Sequence, residues 1–304
     1  MTTEKNTTKS RFRFKHLPSL IKETAINWNK DDPFRMSAVV AYYALLSLPG
    51  LLVIIFTMLN YFWGAEIVEG EVYGQIESAM GASTAESIEG IFKKASESQT
   101  NWLSAVIGIA GLIFGATGVF YHLQISINRI WDVKSDPKSG ILRYLIDRTK
   151  SFGFVLIIGF LLLVSFVISS ILTAMQGYLA NWLPDVAVYF VLIGEFLISV
   201  AVVTVLFALI FKYLPDMKIA WRSVWVGAFI TAILFAMGKE ILSFYFGYSS
   251  PGNVYGAAGS VIIILSWVTY SCLILFFGAE FTWVYTKRYG YKMRPKSHAV
   301  IVTQ

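Results

Sequence analysis

The stretch AAGSVIIILSWVTYSCLILFFGAEFTWV, residues 257–284, decides the class of fold. It is longer than the roughly 20 helical residues needed to cross the hydrocarbon core of a bilayer, which is about 30 Å thick. It carries one ionisable acidic side chain, Glu280, and no basic one. Inside lipid, backbone polar groups must be satisfied within the segment, and a helix achieves this. The stretch therefore predicts a membrane-spanning α-helix.

Five further runs have the same character, at about 36–62, 102–123, 152–175, 186–211 and 222–246. The whole chain is 56% hydrophobic and only 14% charged, with a mean hydropathy of +0.61. Soluble domains usually carry about a quarter charged residues. We predict an all-α, polytopic membrane protein with six transmembrane helices.

Lysine and arginine are unevenly distributed outside these runs. The N-terminal segment has eight, the connection after the second run has six, the one after the fourth has three, and the tail has five. The alternate connections have only Lys93 and Lys94. Because positive residues are retained on the cytoplasmic side, this ratio of 22 to 2 predicts cytoplasmic termini and an even number of spans.

The resulting organisation has three parts. Residues 1–35 form a basic cytoplasmic segment, 36–286 the six-helix transmembrane domain, and 287–304 a basic cytoplasmic tail. Within the first part, apolar positions recur at helical spacing and are flanked by lysines, which predicts an amphipathic helix on the anionic membrane surface, ended by Asp31-Asp32-Pro33. Those positions are Leu17, Leu20, Ile21, Thr24 and Trp28. The expected partners are membrane lipids, with anionic headgroups on the cytoplasmic face.

The external loop, about 64–101, has seven glutamates against two lysines and two short apolar stripes. Ser83 and Glu86 between them fit a capping box. Two amphipathic helices are expected here, either as a structured cap or as a binding surface.

Glycines line one face of the second run: Gly108, Gly111, Gly115 and Gly118. Their spacing lets another backbone approach closely, either for static packing or for movement. The same face continues to His122, Asn128 and Arg129, which are expected to be polar partners at the inner end. Pro49 in the first run is a candidate kink or hinge.

Ionisable residues within spans are costly and are therefore candidate functional sites. Glu195, Lys239, Glu240 and Glu280 are the four in this chain. Glu195 and Lys239 lie at similar depths and can form a pair, while the depth of Glu280 is compatible with His122 or Arg129. Two interpretations stay open: an ion pair that locks helices together, or a substrate or proton pathway.

Features of an enzyme are weak. The three histidines, His16, His122 and His298, show no metal-ligand spacing, and Cys272 lies among aliphatic residues. No phosphate-binding loop or nucleophile elbow occurs. We expect no metal, no cofactor and no catalytic residue, and we attribute the net charge of +6 to topology rather than to nucleic-acid binding.

A series of short patterns runs through the chain in a fixed order. The patterns are Ala41-Tyr42-Tyr43-Ala44-Leu45-Leu46-Ser47-Leu48-Pro49, Gly115-Ala116-Thr117-Gly118-Val119-Phe120, Ile127-Asn128-Arg129-Ile130-Trp131, Tyr213-Leu214-Pro215, Trp221-Arg222, Gly227-Ala228, Gly238-Lys239, Tyr255-Gly256-Ala257 and Gly278-Ala279-Glu280. Over about residues 30–290, their order resembles the YihY/BrkB family of bacterial inner-membrane proteins. The chain departs from that pattern where Pro49 directly follows Ser-Leu.

The resemblance implies a six-helix protein of the bacterial cytoplasmic membrane. Some members have been labelled ribonuclease BN, but phosphodiester hydrolysis normally requires a metal-binding cluster or an exposed acid–base pair, and the aqueous segments contain neither. Other members are linked to serum resistance or envelope physiology. We expect a transporter- or flippase-like protein for an envelope or lipid-related substrate; the alternative is a non-transporting scaffold or regulator. An oligomer is compatible with the sequence.

Overall fold

The computed structural model describes residues 14–63, 102–135, 186–249, 257–289 and 293–302, with single residues at 74, 77, 85, 86, 89 and 90. Within the helices, some residues are described by their backbone alone, among them Pro49, Gly108 and Glu195. The long helices are α1 (Leu17–Lys30), α2 (Pro33–Trp63), α3 (Trp102–Ile130), α4 (Val186–Tyr213), α5 (Trp221–Ser249) and α6 (Ala257–Arg288).

Helices α2 to α6 coincide with five of the six predicted spans. In the described residues, three segments are long and apolar enough to cross a membrane: Phe196–Tyr213, Trp221–Phe246 and Val261–Arg288. The run at 152–175 and most of the loop at 64–101, including the Ser83 end of the proposed capping box, lie outside the described residues. The mainly helical fold is confirmed, while the count of six spans stays a prediction.

Lys239 and Glu240 do not break α5. The helix runs through them, and the Lys239 ammonium lies 3.4 Å from the Glu240 carboxylate. The side chain of Glu240 is 74% exposed. Neighbouring opposite charges can therefore be accommodated on an outer face of the helix, without entering the packed interior.

The chain divides into two compact units. The first comprises residues 1–33, 124–233 and 274–304, and the second comprises residues 34–123 and 234–273.

In the first unit, α5 and α6 approach closely at two reciprocal glycine–threonine contacts. A methyl group on Gly227 would overlap the Thr282 side chain, and one on Gly278 would overlap that of Thr231. Each threonine donates its hydroxyl to the carbonyl four residues earlier, Thr231 to Gly227 at 2.7 Å and Thr282 to Gly278 at 2.8 Å. Small residues and internally satisfied hydroxyls are what close helix packing in a membrane requires.

Helix α1 also belongs to the first unit, and it ends at Lys30, directly before the predicted Asp31-Asp32-Pro33 stop. Leu20 is buried in a cluster with four side chains from the end of the chain's last helix and its following turn, namely Phe281, Val284, Tyr285 and Tyr289. Arg288 reaches back to Ser19 at 2.7 Å and to Glu23 at 3.3 Å. The apolar face predicted to lie on lipid is therefore divided: Leu20 and Thr24 are buried within the protein, while Ile21 is exposed.

The described residues of the first unit also form four short strands: β1 (Val133–Ser135), β2 (Met217–Lys218), β3 (Arg294–Pro295) and β4 (Ala299–Ile301). They form two antiparallel pairs, β1 with β4 and β2 with β3. Segment 293–302 is thereby joined to the chain after α3 and to the connection between α4 and α5. These strands were not predicted, because two or three residues carry too little periodicity to detect.

In the second unit, α2 packs against the glycine face of α3. A methyl group on Gly115 would lie 2.5 Å from the Ser47 backbone nitrogen, and one on Gly118 would overlap the Tyr43 ring. Tyr43 also stacks on His122, with ring centroids 4.8 Å apart. Gly238 makes a similar close contact with Tyr270, whose hydroxyl donates to the Leu234 carbonyl at 3.3 Å.

Candidate functional site

An aspartate in the connection between α4 and α5 is the centre of a buried hydrogen-bond network. Asp216 is 3% exposed. Its Oδ2 accepts from the Asn128 side chain at 2.9 Å, and its Oδ1 accepts from Gln124 at 3.2 Å. The Nε2 atom of His298 lies 2.9 Å from the same Oδ1. The side-chain oxygen of Asn128 in turn accepts the backbone N–H of Asp216 at 2.7 Å. The carboxylate thus has the partners that burial demands.

The backbone around Asp216 is held by the tail and by α4. The N–H of Lys296 donates to the Asp216 carbonyl at 2.9 Å, and the Lys296 ammonium donates to the Tyr213 carbonyl at 3.0 Å. Lys212 donates to the Ile219 carbonyl at 2.5 Å. Two lysines therefore satisfy carbonyls that the end of α4 and the following loop leave without helical partners.

Of this network, only Asn128 was among the predicted site residues. Asp216 and His298 were missed because both lie in aqueous connections, where charged side chains are ordinary, and 82 residues separate them. The available signal was the Tyr213-Leu214-Pro215 pattern directly before Asp216.

A second polar cluster surrounds Glu280 on α6. Glu280 is only 1% exposed. The Asn27 side chain hydrogen-bonds its carboxyl group, and three ionisable side chains act on it from nearby: Asp31, Asp132 and Lys287. The Lys287 ammonium lies 3.3 Å from the Asp132 carboxylate. Glu280 thus has a neutral hydrogen-bond partner, while the nearby lysine pairs with a different acid.

Aromatic side chains contact α6 at residues before and after Glu280. The indole of Trp131 donates to the Ala279 carbonyl at 2.9 Å and stacks on Trp283 with ring centroids 6.5 Å apart. Trp28 of α1 meets Phe277 edge-on at 6.0 Å. Helix α1 therefore meets α6 at Glu280 through Asn27 and one turn earlier through Trp28.

The turn after α1 brings further charge to the cluster. Burial raises the pKa of Asp31, the Arg129 guanidinium lowers it, and the Asp132 carboxylate raises it. Asp32 and Asp132 adopt positive φ angles of 59° and 52°, a conformation that aspartate tolerates better than most residues. The backbone conformation at these two turns therefore accommodates aspartate.

The predicted site residues are distributed between the two units. Asn128, Arg129 and Glu280 lie in the first, whereas His122, Lys239 and Glu240 lie in the second. Glu280 is associated with Asn27 and Asp31 rather than with the expected Arg129, whose charge acts on Asp31. The proposed Glu195–Lys239 pair and the proposed kink or hinge at Pro49 involve the side chains of Glu195 and Pro49, which lie outside the described part of the structure. Gly111, Gly115 and Gly118 face α2, with the carbonyl of Leu46 3.8 Å from a methyl group placed on Gly111.

The described residues contain no cluster of three or more histidine, cysteine, aspartate or glutamate side chains able to hold a metal ion. Cys272 is a buried free thiol. What these residues do provide is hydrogen bonding and fixed charge at the ends of apolar helices.

Long apolar helices with buried polar groups at their ends define the class as an integral membrane protein. The chain belongs to the virulence factor BrkB family, whose model matches residues 24–301. This confirms the family resemblance found in the sequence.

Several relatives are membrane proteins of the UPF0761 group. One from Pseudoalteromonas atlantica is 28% identical over 262 residues, covering 85% of this chain and 83% of the relative. One from Alteromonas mediterranea is 28% identical over 259 residues, covering 83% of each. A Yersinia pestis relative is 31% identical over 180 residues, covering 58% of each. No solved structure matches the chain.

Proposed function

We propose that this protein is transporter- or flippase-like and moves an amphiphilic, lipid-related substrate across the bacterial cytoplasmic membrane. The observation that carries the proposal is the burial of Glu280 within an apolar helix, where two further carboxyl groups, those of Asp31 and Asp132, act on it. A carboxyl group in such surroundings is costly to retain for packing alone. It can bind a proton or the cationic part of a substrate and release it when its surroundings change.

Helix α1 supplies the means by which those surroundings change in this proposal. It lies over Glu280 through Asn27 and Trp28 and is fastened by Arg288 to Ser19 and Glu23. Surface ion pairs of this kind contribute about 0 to 1 kcal/mol. Leu20 of α1 is also buried against the end of α6, which contributes about 1.5–3 kcal/mol. Displacement of α1 would break both kinds of contact and expose Glu280 without unfolding the helices beneath it.

The proposal includes the predicted topology. The six apolar runs provide six spans, and the 22-to-2 distribution of basic residues places both termini in the cytoplasm. In that orientation α1, Asp216 and Glu280 all lie near the cytoplasmic side of the membrane.

A lipid-movement assay in reconstituted vesicles tests this function. The purified protein is placed in vesicles of phosphatidylethanolamine and phosphatidylglycerol with a trace of NBD-labelled phosphatidylethanolamine, and dithionite reduces label that reaches the outer leaflet. Wild-type protein is expected to expose inner-leaflet label faster than protein-free vesicles. Glu280→Gln, which keeps the shape and removes the ionisable group, should lower that rate at least tenfold.

Glu240→Gln is the matched control, because the Glu240 carboxylate is exposed beside Lys239 rather than buried. It should retain the wild-type rate. Equal rates for wild-type protein and Glu280→Gln would refute the role of Glu280. No movement above the protein-free rate would instead favour the scaffold or regulator, for which the folded segment 293–302 offers a fixed surface.

A further inference from the structure

One surface of the first unit combines exposed aromatic rings with basic side chains at the start of α5. Trp225 is 45% exposed and Phe229 is 51% exposed, and Trp221 is exposed as well. Positions 221, 225 and 229 are four residues apart and therefore lie on one face of the helix. Tryptophan at the end of a membrane-spanning helix is typical of the headgroup level.

The rings are held in a defined arrangement. Trp221 stacks on Trp225 with centroids 6.1 Å apart, and Tyr213 meets Trp221 edge-on at 6.0 Å. The Lys212 ammonium lies 5.2 Å from the centre of the Trp221 ring, a cation–π contact that fixes its orientation. Three aromatic side chains thus form an ordered shelf with an outward face.

Three cations lie on the segments that carry or adjoin these rings: Lys218, Arg222 and Arg294. Lys218 and Arg294 are directly opposite each other on β2 and β3, where like charges repel. Arg222 follows Trp221 in the first turn of α5, where the helix dipole also disfavours a cation. All three are exposed, and none forms a salt bridge within the part of the chain that the structure describes. A bound anion would relieve the repulsion between Lys218 and Arg294 and the unfavourable interaction of Arg222 with the helix dipole.

We propose that this surface binds an anionic phospholipid. Lys218, Arg222 and Arg294 hold the phosphate, Trp221 and Trp225 support the headgroup and glycerol region, and one acyl chain follows Phe229 and the exposed Ile233 further along α5. The exposed apolar side chains of Phe229 and Ile233 favour a lipid over free phosphate, because phosphate has no apolar part to contact them. This site does not depend on lipid transport, since a bound lipid can also anchor a protein that moves nothing.

Native mass spectrometry with dioleoyl-phosphatidylglycerol, and with dioleoyl-phosphatidylcholine for comparison, tests the proposal on the full chain. The wild-type protein should bind phosphatidylglycerol more tightly than phosphatidylcholine, and increasing salt should reduce the difference. The double variant Lys218→Gln/Arg222→Gln should weaken phosphatidylglycerol binding about thirtyfold, since each basic residue near an anionic surface contributes about 1 kcal/mol and every 1.4 kcal/mol is about tenfold in affinity. Binding of phosphatidylcholine should change less than twofold.

Lys93→Gln/Lys94→Gln removes the same charge from the predicted external loop and is the matched control. Equal weakening by both double variants would overturn a specific site in favour of net charge. Complete displacement of phosphatidylglycerol by inorganic phosphate would show that the site binds an ion rather than a lipid.

A second measurement leaves Lys218, Arg222 and Arg294 unchanged, so it applies even if the double variant fails to fold. Phosphatidylglycerol with brominated acyl chains should quench the tryptophan fluorescence of the wild-type protein more strongly than brominated phosphatidylcholine does, and this excess should be lost in Trp221→Phe/Trp225→Phe. Equal quenching by the two lipids would refute headgroup selection at this surface.

Discussion

At the scale of single residues, burial separates side chains that have the same chemistry. Glu240 and Glu280 are both glutamates in apolar runs, yet Glu240 is largely exposed beside Lys239, whereas Glu280 is buried. An exposed carboxylate costs little and contributes little. An enclosed one imposes a penalty that favours its neutral or occupied state. This difference is why Glu280 alone enters the proposed mechanism.

Asp31 gives a prediction for the dependence of stability on pH. Its raised pKa means that the folded protein binds the proton more tightly than the unfolded chain. The resulting stabilisation is complete below the ordinary pKa of aspartate, about 3.9, and is lost as the pH rises through the folded-state pKa. Asp31→Asn, which stays neutral, should therefore raise the Tm at pH 7, with the gain shrinking as the pH falls toward 4.

Thermal unfolding in detergent between pH 4 and pH 8 measures this effect. Asn29→Ala is the control, because Asn29 is exposed on α1 and carries no ionisable group. It should show no comparable trend with pH. A Tm gain for Asp31→Asn that is the same at all pH values would contradict the assignment.

At the scale of helices, the contact between α5 and α6 depends on atoms that are absent. Gly227 and Gly278 leave room for Thr282 and Thr231, and each threonine satisfies its hydroxyl on its own helix. The sequence showed only that glycine was present in both runs. Which glycines face a neighbour is determined by the rotation and depth of each helix, and neighbouring helices fix these.

Gly278→Ala tests this contact. Its methyl group would meet the Thr231 side chain, so overpacking should lower the stability by about 1–3 kcal/mol. Gly194→Ala on α4 is the matched control, since nothing described lies within 4 Å of a methyl group there. Thermal or denaturant unfolding in detergent compares the two.

Thr231→Ala in the Gly278→Ala background removes the opposing hydroxyl and should restore part of the lost stability. Equal stability of the wild type, Gly194→Ala and Gly278→Ala would show that the helices do not approach as described.

At the scale of the whole molecule, Asp216 connects segments that are distant in the chain. It joins the end of α3, the connection after α4 and segment 293–302 through Asn128, the backbone and His298. Asn128 uses both ends of its amide in this junction. Asn128→Ala would leave the carboxylate and the backbone N–H short of a partner, which is expected to cost about 2–3 kcal/mol.

Unfolding in detergent with Asn29→Ala as the control measures that cost, because Asn29 is exposed on α1. A second readout is proteolysis of the tail, which should become faster in Asn128→Ala as segment 293–302 loses its anchor. Unchanged stability together with unchanged proteolysis would mean that the network does not hold the tail.

The sequence by itself determined the class of protein, the course of five of the long helices and the family. Lipid forces long apolar runs into helices, so this information is written locally and survives without knowledge of neighbours. The sequence also identified Glu280 and Asn128 as polar residues worth attention.

Only the tertiary structure decided what those residues touch. Asp216 and His298 lie in ordinary polar connections, and α1 has an apolar face that either lipid or protein could cover. Their partners lie far along the chain, and burial is a property of the assembled neighbours rather than of the residue. The placement of Asn27 over Glu280, and of Lys218 opposite Arg294, therefore had no local signal from which it could be predicted.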